Sequence, residues 1–275
     1  MSEVNSSNCS HDCGSCGKDC SDRDLHFKLN SRSSVDHIIG IVSGKGGVGK
    51  SFVTSTLAAE LQRRGHRTAV LDADITGPSM AKVFGIHEKL MGDGELIFPE
   101  KSSSGIQLIS TNMMLDSDDQ PVIWRGPIVA GVIRQFYQEV FWDDVDYMVV
   151  DMPPGTSDVP LTVFQSLPLD GIIVVTSPQE LVSMVVEKAI NMAKMMNIPV
   201  LGLIENMSYV ECGKCGNRIS IFGESHAAEI ADKYGIPLLA QIPMREGYAQ
   251  AADEGKVEAL SVPEIAAAAD LIEKS

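Results

Sequence analysis

The sequence predicts an α/β fold in which a mostly parallel central sheet carries helices on both faces. Two observations predict it. Short apolar runs at 37–42, 68–71, 106–109, 147–150, 171–175, 200–204 and 237–242 alternate with helix-like segments at 50–64, 127–141, 158–166, 179–196, 224–235 and 263–273. Strands covered on both faces by crossover helices read this way. The second observation is the glycine-rich stretch Gly44-Lys45-Gly46-Gly47-Val48-Gly49-Lys50-Ser51, which follows the first run and leaves as the first helix. At 275 residues and 44% hydrophobic, the chain fits one large domain better than two.

Taken in order, residues 1–34 are rich in Ser, Asp, Asn, Gly and Cys and hold few apolar residues. Such a segment packs no core of its own, so it reads as a flexible or metal-binding extension ahead of a domain at 35–275. Gly65, after Arg63-Arg64, marks a helix stop, and Pro127 sits where a first helical position belongs. Three segments break the alternation. Residues 86–105, with Gly92, Gly94 and Ser102-Ser103-Ser104, read as a surface loop or hairpin. Residues 116–127 contain Trp124-Arg125-Gly126-Pro127, either a packed turn with an exposed cation or a functional loop. The third is a cysteine-bearing insertion at 208–223.

The formal net charge of −15 argues against general nucleic-acid affinity, which rests on lysine and arginine neutralising phosphates. The first residues lack a basic region followed by an apolar core, and no run approaches the roughly 18 apolar residues of a membrane span. The expectation is a cytoplasmic protein without nucleic-acid or membrane partners. The final segment, with Glu264, Asp270 and Glu273 beside one lysine, lacks the basic face of a membrane-docking helix.

Residues 44–51 match the phosphate-binding loop G-x-x-x-x-G-K-[ST]. A glycine-rich turn at a helix N-terminus aims several backbone N–H groups at one small volume. In that pattern Lys50 serves the β- and γ-phosphates and the Ser51 hydroxyl ligates Mg²⁺. Phosphoryl chemistry also calls for carboxylates at strand ends on the same edge. Asp151 ends 147–150 and is expected to serve the metal, commonly through water. Asp72 and Asp74 follow 68–71, with Asp74 expected to position attacking water and Asp72 to orient its neighbours. Asn206, after 200–204, offers a donor and an acceptor suited to adenine, and an asparagine there is equally an ordinary turn former.

Six cysteines form two groups. Cys9, Cys13, Cys16 and Cys20, spaced C-x₃-C-x₂-C-x₃-C, leave three readings open: an iron–sulfur cluster, a zinc ion, or an unliganded tail. Cys212 and Cys215 form a C-x₂-C pair that supplies half of the four thiolates a [4Fe–4S] cluster usually takes. Two subunits about a two-fold axis would complete it. A zinc knuckle with other ligands and a reversible disulfide are the alternatives.

With these motifs placed, the chain resembles the Mrp/ApbC family of iron–sulfur cluster carrier ATPases, within the MinD-like phosphate-loop NTPases that include the nitrogenase iron protein type. The resemblance covers roughly residues 36–270. It rests on residues 45–51, Asp72-Ala-Asp-Ile-Thr-Gly-Pro-Ser79, Trp124-Arg-Gly-Pro127, Asp151-Met-Pro-Pro-Gly-Thr-Ser-Asp158, Glu205-Asn-Met207 and Cys212-Gly-Lys-Cys215. It implies a homodimer with two ATP sites, Lys45 reaching the partner's nucleotide, Asn206 on adenine, and Asp74 and Asp151 in nucleotide-responsive switches. It further implies a [4Fe–4S] cluster bridging the dimer and apo iron–sulfur proteins as recipients. ATP-gated electron transfer and a MinD- or ParA-like positioning role are the alternatives. The cysteine-rich extension departs from the simple bacterial family.

Overall fold

The computed structural model describes residues 26–75, 77–114, 126–155, 158–179 and 182–274. In chain order these form β1 (Val35–Ser43), α1 (Lys50–Arg63), β2 (Thr68–Asp72), α2 (Met80–Val83), β3 (Met91–Gly92), β4 (Ile97–Phe98), β5 (Glu100–Lys101), β6 (Gln107–Ile109) and α3 (Gly126–Gln138). There follow β7 (Val145–Asp151), α4 (Asp158–Ser166), β8 (Gly171–Thr176), α5 (Val182–Met195), β9 (Val200–Glu205), β10 (Val210–Glu211) and β11 (Arg218–Ile219). The remaining elements are α6 (Ala227–Tyr234), β12 (Leu238–Gln241), α7 (Tyr248–Asp253) and α8 (Ala266–Ile272).

Eight strands make one sheet in the order β12-β9-β8-β1-β7-β2-β6-β5. All neighbours run parallel except β5 against β6. The seven predicted strands are all in this sheet. Alternation along each strand divides its apolar residues between two cores. Ile39, Ile41, Val70, Val149 and Val175 pack with α1, α2 and α8, while Val42, Leu71, Val150 and Val174 pack with α3, α4, α5 and α6. The 86–105 segment holds a small β3–β4 hairpin before β5.

Close strand packing explains two glycines in the sheet. A Cβ on Gly171 would lie 2.6 Å from Leu201 Cγ, and one on Gly202 would lie 2.5 Å from Leu239 Cγ and 2.8 Å from the Pro237 carbonyl. Residues 26–34, which composition leaves with the extension, lie against the domain. Phe27 N donates to the Ser166 carbonyl at 2.7 Å, and Asn30 Nδ2 donates to the carbonyls of Gln138 and Val140, both at 2.9 Å. Among the described residues, no helix is long and apolar enough to cross a membrane.

Candidate functional site

The chain leaves β1 towards α1, and β7 lies between β1 and β2 while β8 flanks β1 on the other side. Order reversal of this kind opens a crevice at the carboxyl ends of the strands, where ligands of open α/β sheets bind. The phosphate loop sits in it. Gly47 and Gly49 have φ of 82° and 80°, conformations that side-chain-bearing residues rarely adopt. Gly46 and Gly47 are exposed, with open space where a Cβ would stand. Val48 is buried beneath them.

Strand register gathers the charges. Asp151 is paired with Ile41 of β1 and with Asp72 of β2, so the two carboxylates stand side by side on the face covered by α1. Lys50 opens α1 and is nearly buried, its Nζ 2.7 Å from Asp151 Oδ1 and 3.4 Å from Asp74 Oδ2. Ser51 Oγ donates to Asp151 Oδ2 at 2.7 Å and Thr54 Oγ1 to Asp151 Oδ1 at 2.8 Å. Burial works against the Lys50 ammonium, but Asp151, Asp74 and Asp72 outweigh it and hold its pKa above the usual lysine value. The residues expected to meet phosphate and Mg²⁺ therefore meet one another through Asp151. Thr54 is a member that the motif does not name. Its place one helical turn after Lys50, on the same face, is the sequence signal that would find it.

Asp72 is fully buried and organises the turn after β2. Its Oδ1 accepts from Asp74 N at 3.1 Å, and its Oδ2 accepts from Ser79 N at 3.1 Å, Met80 N at 3.2 Å and Ser110 Oγ at 2.9 Å. Burial, then the neighbouring Asp151, pushes its pKa up to about 7. Asp74 lies beyond β2, which ends at Asp72, and reaches Lys50 from the turn that Asp72 holds. The buried hydroxyls of Ser79 and Thr111 have no hydrogen-bond partner. Thr76, Trp124, Arg125, Thr156 and Ser157 lie outside the described residues.

Lys45 projects from the loop and its Nζ donates to Gln179 Oε1 after β8. Gly44 is buried at the base of the loop, and Ser43 Oγ donates to the Lys45 carbonyl at 3.0 Å. Asn206 is buried at the end of β9, where its Nδ2 donates to the Val48 carbonyl at 3.0 Å. A Cβ on Gly49 would lie 2.1 Å from that nitrogen. Asn206 thus touches the phosphate loop directly.

The second site is the hairpin β10–β11, whose turn carries Cys212 and Cys215. Cys212 N donates to the Asn217 carbonyl at 2.9 Å and Gly216 N to the Cys212 carbonyl at 2.8 Å. Hydrogen bonds from the backbone N–H groups of Lys214 and Cys215, then from the Cys215 side chain, lower the Cys212 pKa. This favours the thiolate that ligates metal. Both cysteines are free, Cys215 exposed and Cys212 half-buried, and among the described residues no cluster of three or more His, Cys, Asp or Glu side chains forms a metal site. Cys9, Cys13, Cys16 and Cys20 lie outside the described residues.

A family model described as a NUBPL iron-transfer P-loop NTPase of the ParA group matches residues 34–274. The chain is 43% identical over 257 residues to the iron-sulfur cluster carrier protein of Clostridium perfringens, covering 90% of each. It is 46% identical over 225 residues to that of Methanocaldococcus jannaschii, covering 81% of this chain and 78% of the relative. Among solved structures, an ADP complex of a nucleotide-binding protein from Archaeoglobus fulgidus superposes with a TM-score of 0.73 at 41% identity, covering 82% of this chain and 88% of that one. The cell division ATPase MinD of Pyrococcus furiosus has the same fold, with a TM-score of 0.61 at 23% identity over 86% of this chain and 98% of its own. The chain belongs to the family of iron–sulfur cluster carrier P-loop NTPases.

Proposed function

We propose that the protein is an ATP-hydrolysing carrier that holds a [4Fe–4S] cluster between the Cys212 and Cys215 pairs of two subunits and passes it to apo iron–sulfur proteins. The observation that carries this reading is the pair itself. Two thiols stand at an accessible hairpin turn, in a chain of the carrier family, without a third ligand grouped with them among the described residues. Each chain offers half a site, and a homodimer supplies the four thiolates that such a cluster takes. A cluster held at a joint between subunits is within reach of a recipient's thiols. The four cysteines of residues 1–34 take a second cluster or zinc in the same proposal.

The phosphate loop takes the triphosphate. Its backbone N–H groups and Lys50 meet the phosphates, with Lys50 exchanging Asp151 for phosphate oxygen. Ser51 and Asp151 fit Mg²⁺, since a hydroxyl and a carboxylate 2.7 Å apart supply the hard oxygen donors it prefers. When bound, the ion neutralises charge on the β- and γ-phosphates. Asp74, beside Lys50, positions a water against the γ-phosphorus; the water oxygen bonds to that phosphorus as its bond to the β–γ bridging oxygen breaks, and ADP, phosphate and a proton leave. Asn206 reads adenine at the sheet edge, and Lys45 contacts the partner's nucleotide, linking ATP state to dimer geometry.

The test is anaerobic reconstitution with iron and sulfide of the full chain in which Cys9, Cys13, Cys16 and Cys20 are replaced by serine. Cys212→Ala in that background is expected to abolish cluster binding and leave ADP affinity unchanged. Undiminished iron in a Cys212 and Cys215 double variant would sink the assignment.

A further inference from the structure

Glu205 is a buried carboxylate that neither phosphate chemistry nor metal ligation uses. It ends β9 and is 1% exposed. Its Oε2 accepts from Ser208 Oγ at 2.6 Å and Gln241 Nε2 at 3.0 Å, and its Oε1 accepts from Ser225 Oγ at 2.8 Å. Gln241 Nε2 also donates to Ser225 Oγ at 3.2 Å. Ser208 and Ser225 bracket the insertion that carries Cys212 and Cys215, so a single carboxylate holds both of its feet. The first foot has main-chain support as well, through Ser208 N to the Ile242 carbonyl at 2.9 Å and Met244 N to the Tyr209 carbonyl at 2.8 Å.

The next residue faces the other way. Asn206 N donates to the Thr176 carbonyl at 2.8 Å, and its side chain holds Val48 beside Gly49. Consecutive residues at the end of one strand therefore grip the phosphate loop on one side and the thiol-bearing insertion on the other. The connection is short: β9 is hydrogen-bonded between β8 and β12, and one planar peptide joins Glu205 to Asn206. Contiguous hydrogen-bonded groups on rigid elements are the physical means by which two sites share energy.

The geometry points to Glu205 as a positioning residue that ties the Cys212 and Cys215 thiols to the state of the phosphate loop. A shift of Val48 and Gly49 on nucleotide binding moves Asn206, and Glu205 carries that movement to Ser208 and Ser225. The inference rests on the reading that nucleotide occupies residues 44–51 and that these thiols are the working ligands.

The experiment measures iodoacetamide alkylation of Cys212 and Cys215 in the reduced, cluster-free full chain, each cysteine followed by peptide mass spectrometry, with and without saturating MgADP or a non-hydrolysable ATP analogue. In the wild type, nucleotide is expected to change the alkylation rate by about fivefold or more, the lower range of measured coupling between sites. Ser208→Ala with Ser225→Ala removes only two hydroxyls; it is expected to bring that ratio to about one while MgADP affinity stays within about twofold. Glu205→Gln is expected to reduce the ratio in the same direction. A purely structural role would lower thermal stability and leave the ratio intact. A wild-type ratio of one with nucleotide bound, or a double serine variant that keeps the wild-type ratio, overturns the inference. Failure of the wild type to assemble a cluster on Cys212 and Cys215 overturns the carrier reading instead, because the coupling is read on free thiols.

Discussion

Lys50 and Asp151 set the chemistry of the phosphate-loop site, and each depends on the other. A buried ammonium without its carboxylate, or the reverse, is strongly unfavourable. Lys50→Ala removes a charge-assisted contact to phosphate worth about 1.5–3 kcal/mol, so ADP affinity is expected to fall roughly 10- to 100-fold in calorimetry. Asp72 gives a pH signature. Its folded pKa of about 7 lies above that of an unfolded aspartate, so the native state holds the extra proton between the two values. The stability it contributes is fully present below the unfolded value and is lost as pH rises through about 7. The melting temperature of the nucleotide-free protein is therefore expected to fall as pH rises from 5 to 8, and Asp72→Asn, which cannot titrate there, is expected to remove that part of the fall while losing stability at pH 5, because its amide cannot accept all four hydrogen bonds. Lys50, Ser51 and Asp151 are legible in the sequence because a fixed spacing and a strand end identify them. The contact of Asn206 with Val48 is not, since it joins residues 158 positions apart through the order of strands.

Among the elements, the apolar runs identify the seven strands because the central ones are buried on both faces, and even the half-buried edge strand β12 keeps the apolar Leu238-Leu239-Ala240. The eighth, β5, is Glu100-Lys101 at the sheet edge, two charged residues without an apolar signal. Likewise α2 and α7 are too short, at four and six residues, for a helical period to show. The glycines carry the tightest constraints. Gly49→Ala places a Cβ 2.1 Å from Asn206 Nδ2 at a φ of 80°, so the loop must move and nucleotide binding is expected to fall below detection in calorimetry. Gly202→Ala meets Leu239 and the Pro237 carbonyl between β9 and β12. Overpacking there is expected to cost about 1–3 kcal/mol, read from the midpoint of chemical denaturation. The hairpin β10–β11 shows in the sequence only as an interruption with a C-x₂-C pair, because its strands are two residues each.

For the whole molecule, the sheet order places the phosphate loop, Asp151, Asp72 and Asn206 along one edge, while the thiols stand on an insertion rooted at the same edge. A formal net charge of −15 gives little general attraction to a nucleic-acid phosphate backbone. In the proposed carrier two chains share one cluster. The most direct measurement is iron and sulfide per subunit, with mass by light scattering, in the full chain lacking the four N-terminal cysteines. A dimer with about two iron and two sulfide per subunit, lost with Cys212→Ala, is the expected result. A monomer holding one zinc, or a full set of four iron on each chain, would contradict it.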